Sequence, residues 1–251
     1  MNKDEIILNS NNVINDGAYL HDNGKIKIGQ KFLRGHVTIR DEFGNIILDK
    51  DNLVVLRGRS YVLEKLFNDP LDPDLSGYVT NLNRVPCLFK IGCGGADLGS
   101  NPADPYVPVY DDEDLAQPVP FVIEDGSKHQ SADKANNPSI IETMNEKDKN
   151  TYYLPVNRDD GQTEYYGKIF EAKPQWVFNK NTNEVYKKIM LRVDNTEARG
   201  YSINELGLVI GEYNSDTNEY LDAELMTRIT FSTIYLNQAS RYFTVEYNIY
   251  A

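Results

Sequence analysis

The uneven distribution of prolines and acidic residues constrains the fold of this 251-residue chain most strongly. Residues 97–160 contain 14 acidic and 5 basic residues, a balance of −9 out of a net charge of −12. The same segment holds 7 of the 11 prolines: Pro102, Pro105, Pro108, Pro118, Pro120, Pro138 and Pro155. Each proline removes a backbone hydrogen-bond donor and fixes φ, which interrupts helices and sheet ladders. We therefore predict one long acidic insert of mostly irregular backbone over residues 97–160.

Apolar clusters recur within this insert. Loops longer than about 12–15 residues are uncommon in compact domains and are usually functional or disordered. The aromatic residues of the clusters are candidate contacts with a neighbouring surface, on the same chain or on another subunit. These interface candidates are Tyr106, Tyr110, Phe121, Tyr152 and Tyr153. Because the insert is acidic, we expect its partner surface to be basic or bridged by cations.

The remaining sequence divides into an N-terminal arm and one domain. Residues 1–30 are rich in turn and coil signals, so we predict an arm with little structure of its own. Residues 31–251 form a single domain in our interpretation, interrupted by the insert. No segment approaches the roughly 18 apolar residues of a membrane span, and the N-terminus lacks a signal-peptide pattern. We expect no membrane partner and a soluble protein that stays in the compartment where it is made.

Short apolar runs separated by turn residues predict β-structure outside the insert. Residues 36–49 read as a hairpin with a glycine-containing turn, and residues 175–193 read as a second hairpin. The C-terminal part contains three further strands at 204–210, 223–231 and 241–250. In the last strand, Phe243, Val245, Tyr247 and Ile249 share one face, as a period of two requires.

One segment has helical rather than strand periodicity. Between Arg59 and Phe67, Tyr61, Val62 and Leu66 fall on one face and Glu64 and Lys65 on the other. Ser60 is a candidate N-cap, and Asn68-Asp69-Pro70 ends the helix. Many short strands with a single helix favour a mainly β fold, an antiparallel β-sandwich with one short packed helix.

Motifs that would support catalysis or cofactor binding are scarce. The glycine-rich stretch from Gly92 to Gly99 carries Asp97 where a phosphate loop needs glycine. There is no G-x-S-x-G elbow and no H-E-x-x-H, and the three histidines show no paired spacing. Cys87 and Cys93 are most simply two reduced thiols. We therefore predict a non-enzymatic protein without a cofactor.

The acidic run at residues 111–114 allows two interpretations. Carboxylates can hold Ca²⁺, which makes Asp111, Asp112 and Asp114 candidate ligands. The spacing does not fit an EF-hand, so a solvated turn or a docking patch for a basic partner is the default. Direct nucleic-acid binding is not expected from a chain with a net charge of −12, because such binding needs clustered basic residues.

The order of several motifs resembles structural proteins of tailed-bacteriophage virions. The order is Asn52–Val55, a short helix, the glycine-ended strand Phe89–Gly95, a proline-rich acidic stretch, Asn204–Leu208, Leu225–Phe231 and a terminal strand Phe243–Tyr250. The chain departs from the pattern by carrying a longer acidic insert. The resemblance implies a neck, tail or baseplate protein that is assembled in the host cytoplasm, forms symmetric oligomers and resides in the virion.

This resemblance leads to one functional hypothesis and one alternative. The hypothesis is a structural virion component whose arm and insert dock on copies of itself and on neighbouring virion proteins. Within the matching region, Glu205 and Arg228 fall on neighbouring strands and are predicted to pair, fixing strand register or a subunit contact. The alternative is a carbohydrate- or receptor-binding β-module, such as a fibre or decoration protein, with tyrosines and Trp176 as platforms.

Overall fold

The computed structural model describes residues 33–70, 81–96, 105–121, 150–159, 163–198, 201–236 and 241–250. Over these residues the chain has eleven β-strands and one α-helix. The elements are β1 (Arg34–Asp41), β2 (Ile46–Val54), α1 (Leu56–Phe67), β3 (Val85–Gly92), β4 (Pro118–Val119), β5 (Tyr152–Asn157), β6 (Thr163–Ile169), β7 (Gln175–Asn179), β8 (Glu184–Asp194), β9 (Ser202–Asn214), β10 (Glu219–Tyr235) and β11 (Tyr242–Tyr250). The predicted arm over residues 1–30 lies outside the described residues, as do residues 97–104, 122–149 and 160 of the predicted insert.

The strands form a single antiparallel sheet with two ends. Its order is β5-β6-β3-β9-β10-β2-β1-β11-β8-β7, and β4 pairs with β3 off this path. β2 joins the two halves, because its first part pairs with β1 and its last two residues pair with β10. Both halves bury side chains in the same core, for example Leu208 of β9 and Tyr247 of β11. The prediction of a mainly β, antiparallel fold with one short helix is confirmed.

The period-two pattern of the C-terminal strand accounts for its central position. Phe243, Val245 and Tyr247 are fully buried, and Ile249 packs against the same core. β11 pairs with β1 on one side and with β8 on the other. The alternation in the sequence therefore predicts the buried face of this strand correctly.

The prediction of irregular backbone was wrong at the C-terminal end of the insert, where residues 152–157 form β5. This strand pairs with β6, and Pro155 lies opposite Tyr165. β5 stands at one end of the strand order, where only one of its backbone edges needs a neighbour. Proline is tolerated in such edge strands. Reading proline only as a strand breaker concealed this hairpin.

The beginning of α1 also differs from the prediction. The helix starts at Leu56, and its N-cap residue Val55 makes no side-chain capping hydrogen bond. Ser60, the predicted cap, lies inside the helix, where its hydroxyl donates to the carbonyl oxygen of Leu56 at 3.0 Å. The end at Asn68 agrees with the prediction, because this residue adopts the left-handed conformation with φ of 51°.

The buried face of α1 includes Tyr61, as predicted, but takes in Glu64 instead of Leu66. Gly58, Tyr61 and Glu64 are buried, whereas Leu66 and Phe67 are 69% and 71% exposed. Gly58 permits this close packing, since a Cβ there would lie 2.3 Å from the carbonyl oxygen of Met226. Glu64 is retained inside because it faces the buried guanidinium of Arg84 at 3.5 Å. A buried ion pair thus replaces the apolar contact that the sequence pattern suggested.

Candidate functional site

Glu205 and Arg228 meet on the sheet face opposite the core. The carboxylate of Glu205 is fully buried and accepts hydrogen bonds from Nε and Nη2 of Arg228 at 3.1 and 2.8 Å. It also accepts hydrogen bonds from the backbone N–H groups of Gly94 at 3.1 Å, Ala116 at 3.1 Å and Gln117 at 2.9 Å. The predicted pair is therefore present. It ties β9, β10 and the segment 105–121 together within one chain, and the alternative that both side chains face solvent is wrong.

The glycine-rich end of β3 is shaped to fit this carboxylate. A Cβ on Gly92 would lie 2.5 Å from Oε1 of Glu205, and a Cβ on Gly95 would lie 2.3 Å from the carbonyl oxygen of Asn204. The N–H of Gly95 donates to Oδ1 of Asn204 at 2.6 Å. These glycines thus allow close backbone approach at a structural anchor.

Three of the four carboxylates in the acidic run at 111–114 pair with basic residues of their own chain. The ion pairs are Asp112 with Arg228 at 2.9 Å, Glu113 with Arg57 at 3.1 Å and Asp114 with Lys90 at 2.5 Å. For residues 112–114 of the insert, the expected basic partner surface thus lies on the same chain. Asp112 and Asp114 contact different bases and do not converge with Asp111 on one point. Within the described part of the chain, no group of three or more His, Cys, Asp or Glu could hold a metal ion.

Three of the predicted interface aromatics are internal anchors rather than surface residues. Phe121 is 2% exposed and its ring packs edge-on against Phe89 at 5.7 Å. Tyr152 is buried and its hydroxyl donates to Oε1 of Glu197 at 2.6 Å. Tyr153 is buried in a second apolar cluster. Because their contacts lie within the chain, these residues hold the insert onto its own sheet.

The two remaining aromatic candidates lie closer to the surface. Tyr110 is half-buried, with the guanidinium of Arg59 4.7 Å from its ring centroid. Tyr106 is 52% exposed, and its carbonyl oxygen accepts the hydroxyl of Thr230. Of the five aromatic candidates, Tyr106 alone remains largely available to a partner.

An exposed aromatic pair lies at the other end of the sheet, on β7. Trp176 and Phe178 are 61% and 68% exposed, and their ring centroids are 6.1 Å apart. They lie opposite Lys187 and Val185 of β8, on the same face as the buried Ile189. The pair therefore continues the core face of the sheet beyond the point where the core ends. The sequence predicts this hairpin but not that its apolar face remains uncovered in the chain.

A basic side chain contacts this aromatic pair, and the hairpin around it is basic. The ammonium of Lys187 lies 4.3 Å from the centroid of the Trp176 ring. Residues 173–188 contain four lysines and one glutamate, a balance of +3 in a chain of net charge −12. β7 pairs with β8 alone among the described strands, so its outer backbone edge has no strand neighbour there. We call residues 173–188 the edge hairpin.

A tyrosine-lined trench of 570 Å³ lies near the opposite end of the sheet. Its lining includes Tyr153, Tyr166 and Tyr220, together with the paired Lys90 and Asp114. Tyr153 and Tyr220 pack edge-to-face at 4.8 Å. Burial raises the pKa of Tyr153 and of Tyr166 to about 12, which keeps both hydroxyls protonated at neutral pH. The trench combines aromatic rings with polar groups, a composition common in small-molecule sites.

No helix in the described part of the chain is both long and apolar enough to span a membrane. No protein-family model, curated protein or solved structure matches the chain in the comparisons with known proteins.

Proposed function

We propose that the protein is a non-enzymatic structural component of a tailed-bacteriophage virion, assembling as a symmetric oligomer in the neck, tail or baseplate. The edge hairpin carries the proposal, because it exposes Trp176 and Phe178 on an otherwise buried sheet face. The motif order that resembles virion proteins supports the class of particle.

The exposed aromatic pair has the composition of a contact surface. Aromatic residues are enriched in the buried cores of protein interfaces, and tryptophan is prominent among residues that dominate binding energy. An edge strand with an apolar face also invites pairing with another chain unless it is covered. Covering Trp176 and Phe178 would remove their apolar surface from water, and pairing along the outer edge of β7 would satisfy its backbone groups.

The charge distribution favours a second copy of the chain as the partner. The edge hairpin carries +3, so the rest of the chain carries −15. A basic, aromatic hairpin on one copy therefore complements the acidic surface of the next copy. Such a contact joins two different surfaces and is heterologous, which generates rings or extended arrays of identical subunits.

The composition of particles tests the virion assignment. The protein should be found by mass spectrometry in purified particles, at a copy number that is a multiple of the particle's rotational symmetry. A particle preparation that is infectious and lacks the protein would contradict the proposal.

The tyrosine-lined trench favours carbohydrate binding as a second candidate function. Aromatic rings can pack against sugar rings while carboxylate, amide and hydroxyl groups bind sugar hydroxyls. Calorimetric titration with a panel of oligosaccharides tests this function. Tyr220→Ala should abolish binding, while Tyr235→Ala, which changes an exposed tyrosine outside the trench, should retain it. Because Asp114 is paired with Lys90, binding should persist in the presence of a chelator.

A further inference from the structure

A second cleft opens where the two halves of the sheet separate. β2 leaves β1 after Asn52 and pairs with β10 through Leu53 and Val54 alone. The segment from Pro105 to Tyr110 passes over this point, held by the N–H of Leu56, which donates to the carbonyl oxygen of Tyr110 at 2.8 Å. The cleft has a volume of 420 Å³. This volume falls within the range of about 300–1,000 Å³ typical of small-molecule sites.

Asn52 lines this cleft with a polar group that the described chain does not satisfy. Its Oδ1 and Nδ2 atoms are both buried, and neither has a hydrogen-bond partner among the described residues. The side chain lies over Gly35, where a Cβ would fall 2.1 Å from Oδ1. A glycine is thus required to hold the amide in this position. Buried amides without partners are rare, and each one indicates a missing hydrogen-bonding group.

Lys50 lines the same cleft two residues before Asn52, on the same face of β2. It is half-buried, and no ion pair joins it to a carboxylate of the described chain. The neighbouring Asp49 and Asp51 bind the imidazole of His36 instead, at 3.0 and 3.1 Å. Burial lowers the pKa of the Lys50 ammonium, as expected where desolvation is not offset by a nearby anion.

The rest of the lining limits the kind of ligand. Arg228 reaches the cleft, but its guanidinium is already bound by Glu205 and Asp112. Asp51 also lines the cleft, and its carboxylate contacts the imidazole of His36. Lys50 therefore supplies the one positive charge of the described lining that no ion pair joins to a carboxylate. Leu53, Val107 and Ile229 add apolar surface. A ligand that fits this lining has a single negative charge, a hydrogen-bond acceptor for Nδ2 of Asn52 and an apolar body.

We propose that this cleft binds the carboxylate of an organic acid, with Lys50 as its counter-ion, Asn52 as a hydrogen-bonding partner and the apolar walls around its body. A free monocarboxylic acid and the C-terminal carboxylate of a polypeptide present the same chemistry. The site is independent of the edge hairpin and of the proposed assembly function.

Nuclear magnetic resonance titration of the full chain with hexanoate tests the site, with hexan-1-ol as a neutral ligand of the same length. Hexanoate should shift resonances of residues that line the cleft, and hexan-1-ol should bind about tenfold or more weakly. Lys50→Met keeps the length of the side chain and removes its charge, so it should abolish this preference. Equal binding of acid and alcohol by the unaltered protein would overturn the proposal, as would an unchanged preference in Lys50→Met.

Asn52→Leu provides a second variant that does not depend on charge. Leucine has a similar shape and no polar atoms, so the unliganded variant should have a higher melting temperature and should bind hexanoate more weakly. Undiminished hexanoate binding by this variant would overturn the role of Asn52. Circular dichroism spectra that match those of the unaltered protein establish that each variant is folded.

A peptide arm of the same titration separates the two sources of carboxylate. The probes are acetyl-Ala-Leu with a free C-terminus and the same peptide as its amide. Binding of the acid and not the amide supports the site and assigns it to a chain terminus. Binding of hexanoate alone supports the site and assigns it to a free acid. Failure of both hexanoate and the peptide acid to bind would overturn the proposal.

Discussion

Glu205 and Arg228 form a buried ion pair, 2.8 Å between Oε2 and Nη2, that fixes the acidic segment to the outer face of the sheet. Arg228 also binds Asp112 of that segment at 2.9 Å. The carboxylate of Glu205 accepts hydrogen bonds from the backbone N–H groups of Ala116 and Gln117. One pair thus connects two strands and the start of the insert, and it adds to the pairing of β4 with β3 in holding this proline-rich segment in place.

Replacing Glu205 by glutamine should strongly destabilise the fold. The change leaves Arg228 without one of its two carboxylates and places an amide N–H₂ among donors, so we expect a loss of about 3–5 kcal/mol in the free energy of unfolding. Urea denaturation measures this loss. Arg158→Gln is the control, since the exposed Arg158–Glu164 pair should contribute only about 0–1 kcal/mol. Equal effects of the two changes would show that the Glu205 pair does not anchor the segment.

The orientation of α1 predicts an unusual ranking of two helix substitutions. Leu66→Ala should change the free energy of unfolding by less than about 0.5 kcal/mol, because Leu66 is 69% exposed. Glu64→Ala should cost more, about 2 kcal/mol or above, because it removes a carboxylate from the buried Arg84. Thermal and urea unfolding of both variants measure this order. The opposite order, with Leu66 the more costly, would mean that the helix buries its apolar face.

The two cysteines should differ in reactivity. Burial raises the pKa of the Cys87 thiol to about 12, and the thiol lies 3.7 Å from the carbonyl oxygen of Val209. Cys93 is half-buried, and burial raises its pKa as well. Because the thiolate is the reactive form, a disulfide reagent at about pH 8 should label Cys93 first and Cys87 only on unfolding. Cys93→Ser should remove the early reaction, and a fast reaction that survives in this variant would contradict the placement of Cys87.

Alkaline conditions should destabilise the fold through Tyr61. Burial raises the pKa of this phenol to about 12, compared with about 10 in an unfolded chain. Both states hold the proton below about pH 10, and above it the unfolded chain loses the proton first. Stability should therefore fall as the pH rises from about 10 to about 12. Urea midpoints over this range measure the fall, and Tyr61→Phe should make it shallower. An equal slope in the variant would mean that Tyr61 does not contribute to the fall.

The strands with regular alternation could be predicted from the sequence, but their tertiary neighbours could not. Phe243, Val245 and Tyr247 identify the core face of β11 because period two leaves one choice of face. β5 was missed because proline was read only as a strand breaker. Pro155 is compatible with an edge strand, but the edge position of β5 depends on the order of the whole sheet. The local sequence pattern is therefore sufficient to predict a strand, but it is insufficient to predict the place of that strand in the sheet.

The candidate sites show the same division. The pairing of Glu205 with Arg228 could be predicted from their adjacent strands, while the burial of the pair depends on the segment that covers it. The exposure of Trp176 and Phe178 could not be predicted, because the strand pattern is the same whether a neighbour covers it or not. Helix periodicity misplaced Glu64 for the related reason that Arg84 comes from a distant part of the chain.

Sedimentation velocity of the full chain over a range of concentrations tests the central claim, assembly through the edge hairpin, most directly. The unaltered protein should associate with increasing concentration, and high salt should weaken this association by screening the complementary charges. Trp176→Ser with Phe178→Ser should remain monomeric, while Phe43→Ser, which changes a 79% exposed phenylalanine elsewhere, should associate normally. A single monomeric species at every concentration, or equal association of the double variant, would contradict the account.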